Sequence, residues 1–179
     1  MRYLPDVMDA LNVAIEATPI ADFYKRRRAI MGGNSWSGGL LKVKGDIDGD
    51  LTGYAFHLGG LSELQFNVGF EEGAHFRYGV AFSIQPTRNI VDPASLLRPK
   101  ILAFNAVLQE FPILQSLRMW WYDHGTRTAS PAIKQIPVSL IRPGVFIFIG
   151  ERVAVGPAGV TRAMIRRAAE VFNSLLPLY

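Results

Sequence analysis

The chain has no cysteine in its 179 residues, which excludes disulfides, thiolate metal sites and a cysteine nucleophile. No apolar run approaches the roughly 20 residues that a membrane helix needs. The first residues carry Asp6, Asp9 and Glu16 instead of the apolar segment of a signal peptide. These absences favour a cytoplasmic protein that has no membrane partner.

Signatures of catalysis are also missing from the sequence. There is no GxSxG motif, P-loop or dinucleotide fingerprint, and His57, His75 and His124 form no HxH or HxxxH pair. The segment GDIDGD matches a calcium loop over only a few residues and lacks its terminal glutamate, which favours a hairpin turn. We therefore expect no catalytic residue, no metal site and no cofactor in this chain.

Apolar periodicity predicts three helices in a single domain that spans residues 1–179. Their segments are LPDVMDALNVAIEA near the start, VDPASLLRPKILAFNAVLQEFP in the middle and TRAMIRRAAEVFNSLL near the end. In the middle segment, Asp92 and Pro93 are expected to form only a short turn. Pro99 should then begin the main helix, because proline disfavours the interior of a helix.

About six strands are predicted. Four of them have a two-residue period, are separated by turn signals and form a meander: LLKVKGDI, LTGYAFHLG, SELQFNVGFE and HFRYGVAFSIQ. LRMWWYD is interpreted as a further strand, and RPGVFIFIG as a turn followed by a uniformly apolar, buried strand. The segment DHGTRTASPAIKQ is interpreted as a long loop. The predicted fold is α+β, with a mainly antiparallel mixed sheet packed with three helices.

The third and fourth strands predict a hairpin with two different faces. Both apolar rows share one face only if the connecting loop has an odd number of residues, because a slip of one residue would expose one row to water. The other face carries Gln65, Asn67 and Arg77 beside small residues. It suits a ligand surface or helix packing, and the alternative is an ordinary solvated sheet face.

The stretch KRRRAIMGGNSWSGG predicts phosphate contacts next to an aromatic base contact, in a chain of net charge +4. The alternatives are a solvated cationic run and a loop tryptophan packed against the core. The candidate phosphate ligands are Arg26, Arg27, Arg28, Lys42, Lys44, Arg77 and Arg88. The candidate base contacts are Trp36, Asn34, Ser35, Gln65, Asn67, Trp121 and Tyr122.

At FRYGVAFSIQPT, PGVFIFIG and LLPLY the sequence resembles the N-terminal region of some modification-dependent, type IV-like restriction endonucleases. The resemblance implies a bacterial defence protein whose specificity module reads modified bases in double-stranded DNA. It also implies that a C-terminal nuclease or motor domain performs cleavage, and the apolar ending NSLLPLY suggests a module of a longer protein. The resemblance transfers no base-reading residue.

Two other functions remain open from the residues. A divergent metal-dependent nuclease would use Asp50, or Asp48, with Glu63, although Gln65 replaces the lysine that such sites use to polarise water. The third possibility is a protein-interaction or small-ligand domain.

Overall fold

The structure of the chain is a computed structural model, and it describes residues 1–23, 41–43, 49–57, 61–108, 110–111, 117–130 and 135–179. Seven strands in this part of the chain form one sheet, and every neighbouring pair is antiparallel. The strands are β1 (Leu41–Val43), β2 (Tyr54–His57), β3 (Gln65–Glu71), β4 (His75–Ile84), β5 (Arg118–Asp123), β6 (Thr126–Ser130) and β7 (Val145–Ala154). Their order across the sheet is β1-β2-β3-β4-β7-β5-β6. The first four strands form the predicted meander.

The hairpin of β3 and β4 confirms the expected register. Glu71 pairs with His75, so the loop consists of the three residues 72–74. Glu72 and Gly73 adopt the left-handed conformation that reverses the chain there. Because the loop length is odd, Phe66 of β3 and Val80 of β4 face the same side, and both are fully buried.

Three long helices, and a short helical segment at residues 19–23 that carries the buried Ile20, contribute apolar side chains to one core on that side of the sheet. The long helices are α1 (Leu4–Ile15), α2 (Pro93–Leu108) and α3 (Arg162–Leu175). In α3, Phe172 packs edge-on against Phe66 of β3 with ring centroids 5.4 Å apart, and in α2 Phe104 packs against Phe82 of β4 at 5.5 Å. The side of the sheet that the helices cover is called the core face below.

The prediction that Pro99 begins a helix is wrong. Helix α2 starts at Pro93 and continues through Pro99, and the backbone amide of Ser95 donates to Asp92 Oδ1 at 3.0 Å as an N-terminal cap. Proline removes one helical hydrogen bond, but the side of α2 at Arg98, Pro99 and Lys100 is exposed. Water can therefore satisfy the carbonyl that loses its partner, and Leu97 and Ile101 remain packed in the core.

The interpretation of DHGTRTASPAIKQ as a loop is wrong in its first half, where strand β6 forms a hairpin with β5. His124 and Gly125 both have positive φ, as a two-residue hairpin turn requires. Strand β6 lies at the edge of the sheet and residues 126–129 are all exposed. The strand therefore has no buried row, and its sequence shows no apolar alternation that could predict it.

The fold is α+β, as predicted, with seven strands instead of about six. None of the helices in the described segments is long and apolar enough to cross a membrane.

Candidate functional site

The side of the sheet opposite the core face has a different composition and is called the second face below. Its side chains are Tyr54 and Phe56 of β2, Gln65 and Asn67 of β3, Arg77 and Ser83 of β4, Trp120 and Tyr122 of β5, and Phe146 and Phe148 of β7. A separate apolar cluster, Ala81, Trp120 and Phe148, lies here, and no helix of the described residues contributes to it. The second face is therefore built from strand residues.

A glycine pair lies at the centre of the second face. Gly79 of β4 is directly opposite Gly150 of β7. A Cβ on Gly150 would lie 2.2 Å from the Tyr78 carbonyl oxygen, and a Cβ on Gly79 would lie 2.2 Å from the Ile149 carbonyl oxygen. Both positions therefore require glycine, and the missing side chains leave the middle of the face open.

The sheet curls towards the second face. Tyr122 lies on β5 and Glu71 on β3, with β7 and β4 between them. In a flat sheet the two residues would be three strand spacings apart across the sheet, about 14 Å, and about 26 Å apart along the strands, because Glu71 is aligned with Ala154 of β7 and Tyr122 with Phe146. The Tyr122 hydroxyl nevertheless donates a hydrogen bond to Glu71 Oε1. The curl brings side chains from non-adjacent strands together and makes this face concave.

Arg77 lies among aromatic rings inside this concavity. Its guanidinium carbon is 5.5 Å from the ring centroid of Tyr122, 5.2 Å from that of Phe146 and 5.1 Å from that of Phe148. These distances are in the range of cation–π contacts. Arg77 Nη1 also donates to the Tyr122 hydroxyl at 3.3 Å. The rings and this bond hold the guanidinium in place against the sheet.

A hydrogen-bond network fixes Tyr122 and Glu71. Trp120 Nε1 donates to the Tyr122 hydroxyl at 3.0 Å, and Arg152 Nε donates to Glu71 Oε2 at 2.6 Å. Burial and the bond to Glu71 raise the pKa of Tyr122 to about 12, so its hydroxyl stays protonated at neutral pH. Burial opposes ionisation of Glu71, but the bonds from Tyr122 and Arg152 outweigh it and hold the pKa of this carboxyl below its ordinary value.

A cavity of about 470 Å³ opens on the second face and is called the aromatic cavity below. Its lining includes four aromatic rings and three polar side chains: Tyr54, Phe56, Tyr122, Phe146, Gln65, Arg77 and Ser83. The volume falls in the range of small-ligand sites. The rings offer flat apolar surfaces, and Gln65 and Arg77 offer hydrogen-bonding groups beside them. This combination suits a planar ligand with a polar edge.

Two buried polar atoms on the second face have no hydrogen-bond partner among the described residues. Asn67 is fully buried and its Nδ2 donates to Gln65 Oε1 at 3.4 Å. Within the described part of the chain, Asn67 Oδ1 and Arg77 Nε are buried without a hydrogen-bond partner. Buried polar atoms are normally paired, and leaving one unpaired costs about 1–3 kcal/mol. These two buried atoms therefore carry this desolvation cost in the folded chain.

A second cavity of the same volume, about 470 Å³, is called the arginine cavity below. Its lining includes Arg118 and Trp120 of β5, Arg127 and Ala129 of β6, and Gly150 and Arg152 of β7. The hydrogen-bonded pair of Trp120 and Tyr122 separates the two cavities, because Tyr122 lines the aromatic cavity and Trp120 lines this one.

The structure brings some of the candidate residues together. Gln65, Arg77 and Tyr122 line the aromatic cavity, and Asn67 donates a hydrogen bond to Gln65 without lining the cavity itself. Arg88 is exposed and directly follows Thr87, which is part of the cavity rim. Lys42 is in strand β1, but its side chain lies outside the described residues. The same is true of Arg26, Arg27, Arg28, Lys44, Asn34, Ser35 and Trp36, which remain predictions.

The structure does not place Trp121 with the other candidates. Trp121 pairs with Ile147 and packs against the main core, so it faces the core face, while Trp120 is on the second face. Adjacent strand residues point to opposite sides, and the sequence could not decide which of the two tryptophans faces the core.

Sequence reasoning missed Tyr54, Phe56 and Phe146 as cavity residues. The segment RPGVFIFIG was interpreted as uniformly buried, although Phe146 is half-buried and faces the cavity. Every second residue of RPGVFIFIG lies beside the small residues of β4, and this alternation was the available signal. To use it, one must know how β7 pairs with β4, and only the structure shows that register.

Asp50 and Glu63, which were proposed for a nuclease site, are not brought together, and Asp48 lies outside the described residues. Asp50 forms an ion pair with Arg2 at 2.9 Å beyond the start of β2, near the end of β3 that carries Phe70 and Glu71. Glu63 precedes the opposite end of β3, where Lys100 Nζ donates to the Ser62 carbonyl. No group of three or more metal-binding side chains occurs among the residues that the structure describes.

Comparison with protein-family models, curated proteins and solved structures finds no match to this chain. A proposal about its function must therefore come from the chemistry of its own residues.

Proposed function

We propose that this chain is a DNA-binding specificity module and that the aromatic cavity accepts one nucleobase. The observation that carries the proposal is the cavity itself, in which Tyr54, Phe56, Tyr122 and Phe146 surround Gln65 and Arg77. Nucleobases are planar and present donors and acceptors along one edge. Proteins that hold an extruded base stack it on aromatic rings and bond to that edge.

The polar groups of the cavity support recognition of the edge of a base. Gln65 is only 2% exposed and is held by Asn67, so its amide has a restricted orientation. Arg77 is held by the Tyr122 hydroxyl and three rings. Restricted donors and acceptors discriminate between ligands, because a ligand with the wrong edge leaves them unpaired. A base that carries an extra group would be distinguished in the same way, which accords with the resemblance to modification-dependent restriction endonucleases.

Cations near the cavity support contact with the DNA backbone. Arg88 and Arg118 are exposed, and neither forms an ion pair with a carboxylate of the described residues. Free guanidinium groups bind phosphate well because their planar fork matches two phosphate oxygens. The net charge of +4 favours association with a polyanion.

The test is a binding titration at low salt with short duplexes that are unmodified or carry methylated cytosine, hydroxymethylated cytosine or methylated adenine. We expect one modified duplex to bind most tightly. Phe56→Leu keeps an apolar side chain but removes the ring, so it should weaken that duplex about tenfold and reduce its preference over the others. Fluorescence anisotropy measures both affinities.

Arg88→Ala is the complementary variant. It should weaken all duplexes alike and lower the slope of log K against log salt by about 1, because one phosphate contact is lost. Arg166→Ala is the matched control, since Arg166 is an exposed arginine on helix α3, on the other side of the sheet. Absence of duplex binding at low salt, or a folded Phe56→Leu variant that binds as the wild type does, would overturn the proposal.

A further inference from the structure

We infer that the arginine cavity binds a phosphate group, namely a phosphate attached to the nucleotide whose base occupies the aromatic cavity. This inference rests on the proposed function and adds a second site to it. The two cavities meet at a hydrogen-bonded pair, since Tyr122 lines the aromatic cavity and Trp120 lines the arginine cavity. A phosphate and a base are joined by a single sugar, so one nucleotide can extend across such a boundary.

The arginine cavity has more positive side chains than carboxylates paired with them, which favours binding of an anion. Arg152 donates to Glu71 Oε2 at 2.6 Å and to Glu72 Oε2 at 2.7 Å, and Arg127 lies 3.3 Å from Glu72 Oε1. Arg118, by contrast, has no carboxylate within ion-pair distance in the described segments. The cavity therefore keeps one positive charge that no carboxylate of the described residues neutralises.

The remaining carboxylate at the cavity does not cancel this charge. Glu151 lines the arginine cavity, but its Oε2 accepts a hydrogen bond from the Tyr78 hydroxyl at 2.6 Å. Its Oε1 accepts from Arg167 Nε at 3.0 Å. Both oxygens of Glu151 are therefore bound by a core-face hydroxyl and by an arginine of helix α3. Glu151 forms no ion pair with Arg118.

The shape of the arginine cavity follows from small residues. Arg118 is directly opposite Gly150 in the register of β5 and β7, and Trp120 is directly opposite Ala129 in that of β5 and β6. No side chain projects from Gly150, so the space beside Arg118 stays open. A phosphate has a tetrahedral arrangement of acceptor oxygens that the guanidinium of Arg118 can bind with two hydrogen bonds.

The bound phosphate could belong to a DNA strand, as a phosphodiester, or to a free nucleotide. The experiment distinguishes these two ligands. The probes are the four deoxynucleoside 5′-monophosphates, the four matching deoxynucleosides and the best-binding duplex. Each is titrated into the wild type, Arg118→Ala and the control Arg166→Ala, and binding is followed by NMR or calorimetry. Circular dichroism verifies that each variant is folded.

We expect at least one monophosphate to bind more tightly than its nucleoside, and Arg118→Ala to reduce that difference about tenfold while Arg166→Ala leaves it unchanged. Arg118→Ala should also weaken the duplex about tenfold. Equal affinity for nucleosides and monophosphates, together with a duplex that binds Arg118→Ala and Arg166→Ala alike, would overturn the inference and leave the proposed function standing.

The experiment can also support the phosphate site while the DNA-binding proposal fails. If no duplex binds, but a monophosphate is preferred over its nucleoside in an Arg118-dependent way, the DNA-binding proposal fails. The phosphate site is then supported with a free nucleotide as its ligand.

Discussion

The two faces of the sheet share the same strands but follow different rules of composition. Strand β4 presents Phe76, Tyr78, Val80 and Phe82 to the core face, and all are buried beneath helices. It presents Arg77, Gly79, Ala81 and Ser83 to the second face. The core face carries large apolar side chains because the helices supply matching surfaces, whereas the second face carries small residues at its centre and rings around them, which leaves room for a ligand.

The comparison also concerns polar groups. On the core face, the Tyr78 hydroxyl is the donor to Glu151, and Arg167 binds the same carboxylate, so the polar atoms at that edge are paired. The second face buries Asn67 Oδ1 and Arg77 Nε without a partner in the described residues. Leaving such atoms unpaired lowers the free energy of unfolding.

The largest loss of stability should come from removing a phenylalanine ring on the core face, and the same change on the second face should cost much less. Phe66 is fully buried on the core face and packs on Phe172 and Tyr179, so Phe66→Ala should lower the free energy of unfolding by about 4 kcal/mol. Phe56 is half-buried on the second face, so Phe56→Ala should cost only about 1 kcal/mol. Urea denaturation measures both, and equal losses would contradict the difference between the faces.

A smaller effect should come from filling the centre of the second face. Gly150→Ala places a Cβ against the Tyr78 carbonyl oxygen and the Gly79 Cα, and we expect a loss of about 3 kcal/mol because backbone atoms must shift. Gly156→Ala is the matched control, since nothing lies within 4 Å of its added Cβ. It should change the free energy of unfolding by less than about 1 kcal/mol. Similar values for the two variants would show that the strands can separate without cost.

The smallest of the three effects concerns Glu71 and depends on pH. Glu71→Gln removes the charged acceptor of Arg152 and should cost about 2 kcal/mol at neutral pH. Because folding lowers the pKa of Glu71 below 4.5, its contribution is present above that pH and is lost as the pH falls through the lowered value. The unfolding free energies of the wild type and Glu71→Gln should therefore converge in acid.

The control for this pH series is Glu72→Gln. The Glu72 side chain is 56% exposed although it also binds Arg152, so its replacement should cost less than about 1 kcal/mol. Curves for the wild type and Glu71→Gln that stay parallel from neutral pH into acid would contradict the assigned role of Glu71.

The regular part of the fold could be predicted from the sequence because each element has a strong period. Helix α3 and the hairpin of β3 and β4 show apolar periods that match their buried sides. Strand β6 was missed because its residues are exposed at the sheet edge and have no period. The start of helix α2 was predicted wrongly at Pro99, because helix propensity takes no account of the core contacts that Leu97 and Ile101 make on either side of it.

The candidate site was predictable only in part. The alternation within β3 and β4 identified Gln65, Asn67 and Arg77 as members of one face. In the structure, Gln65 and Arg77 line one cavity and Asn67 donates a hydrogen bond to Gln65. Tyr54 and Phe146 come from strands that flank the hairpin, and their positions depend on pairing between segments far apart in the chain. No local pattern specifies that pairing.

The sequence by itself determined the α+β class, the three helices and the side of each residue within the β3 and β4 hairpin, because these follow from local periodicity and loop length. Only the tertiary structure decided that Trp120 faces the second face, that Phe146 joins Tyr54 around a cavity, and that Tyr122 reaches Glu71 across two strands. The reason is that the order of the strands and the curl of the sheet bring together residues that are far apart along the chain.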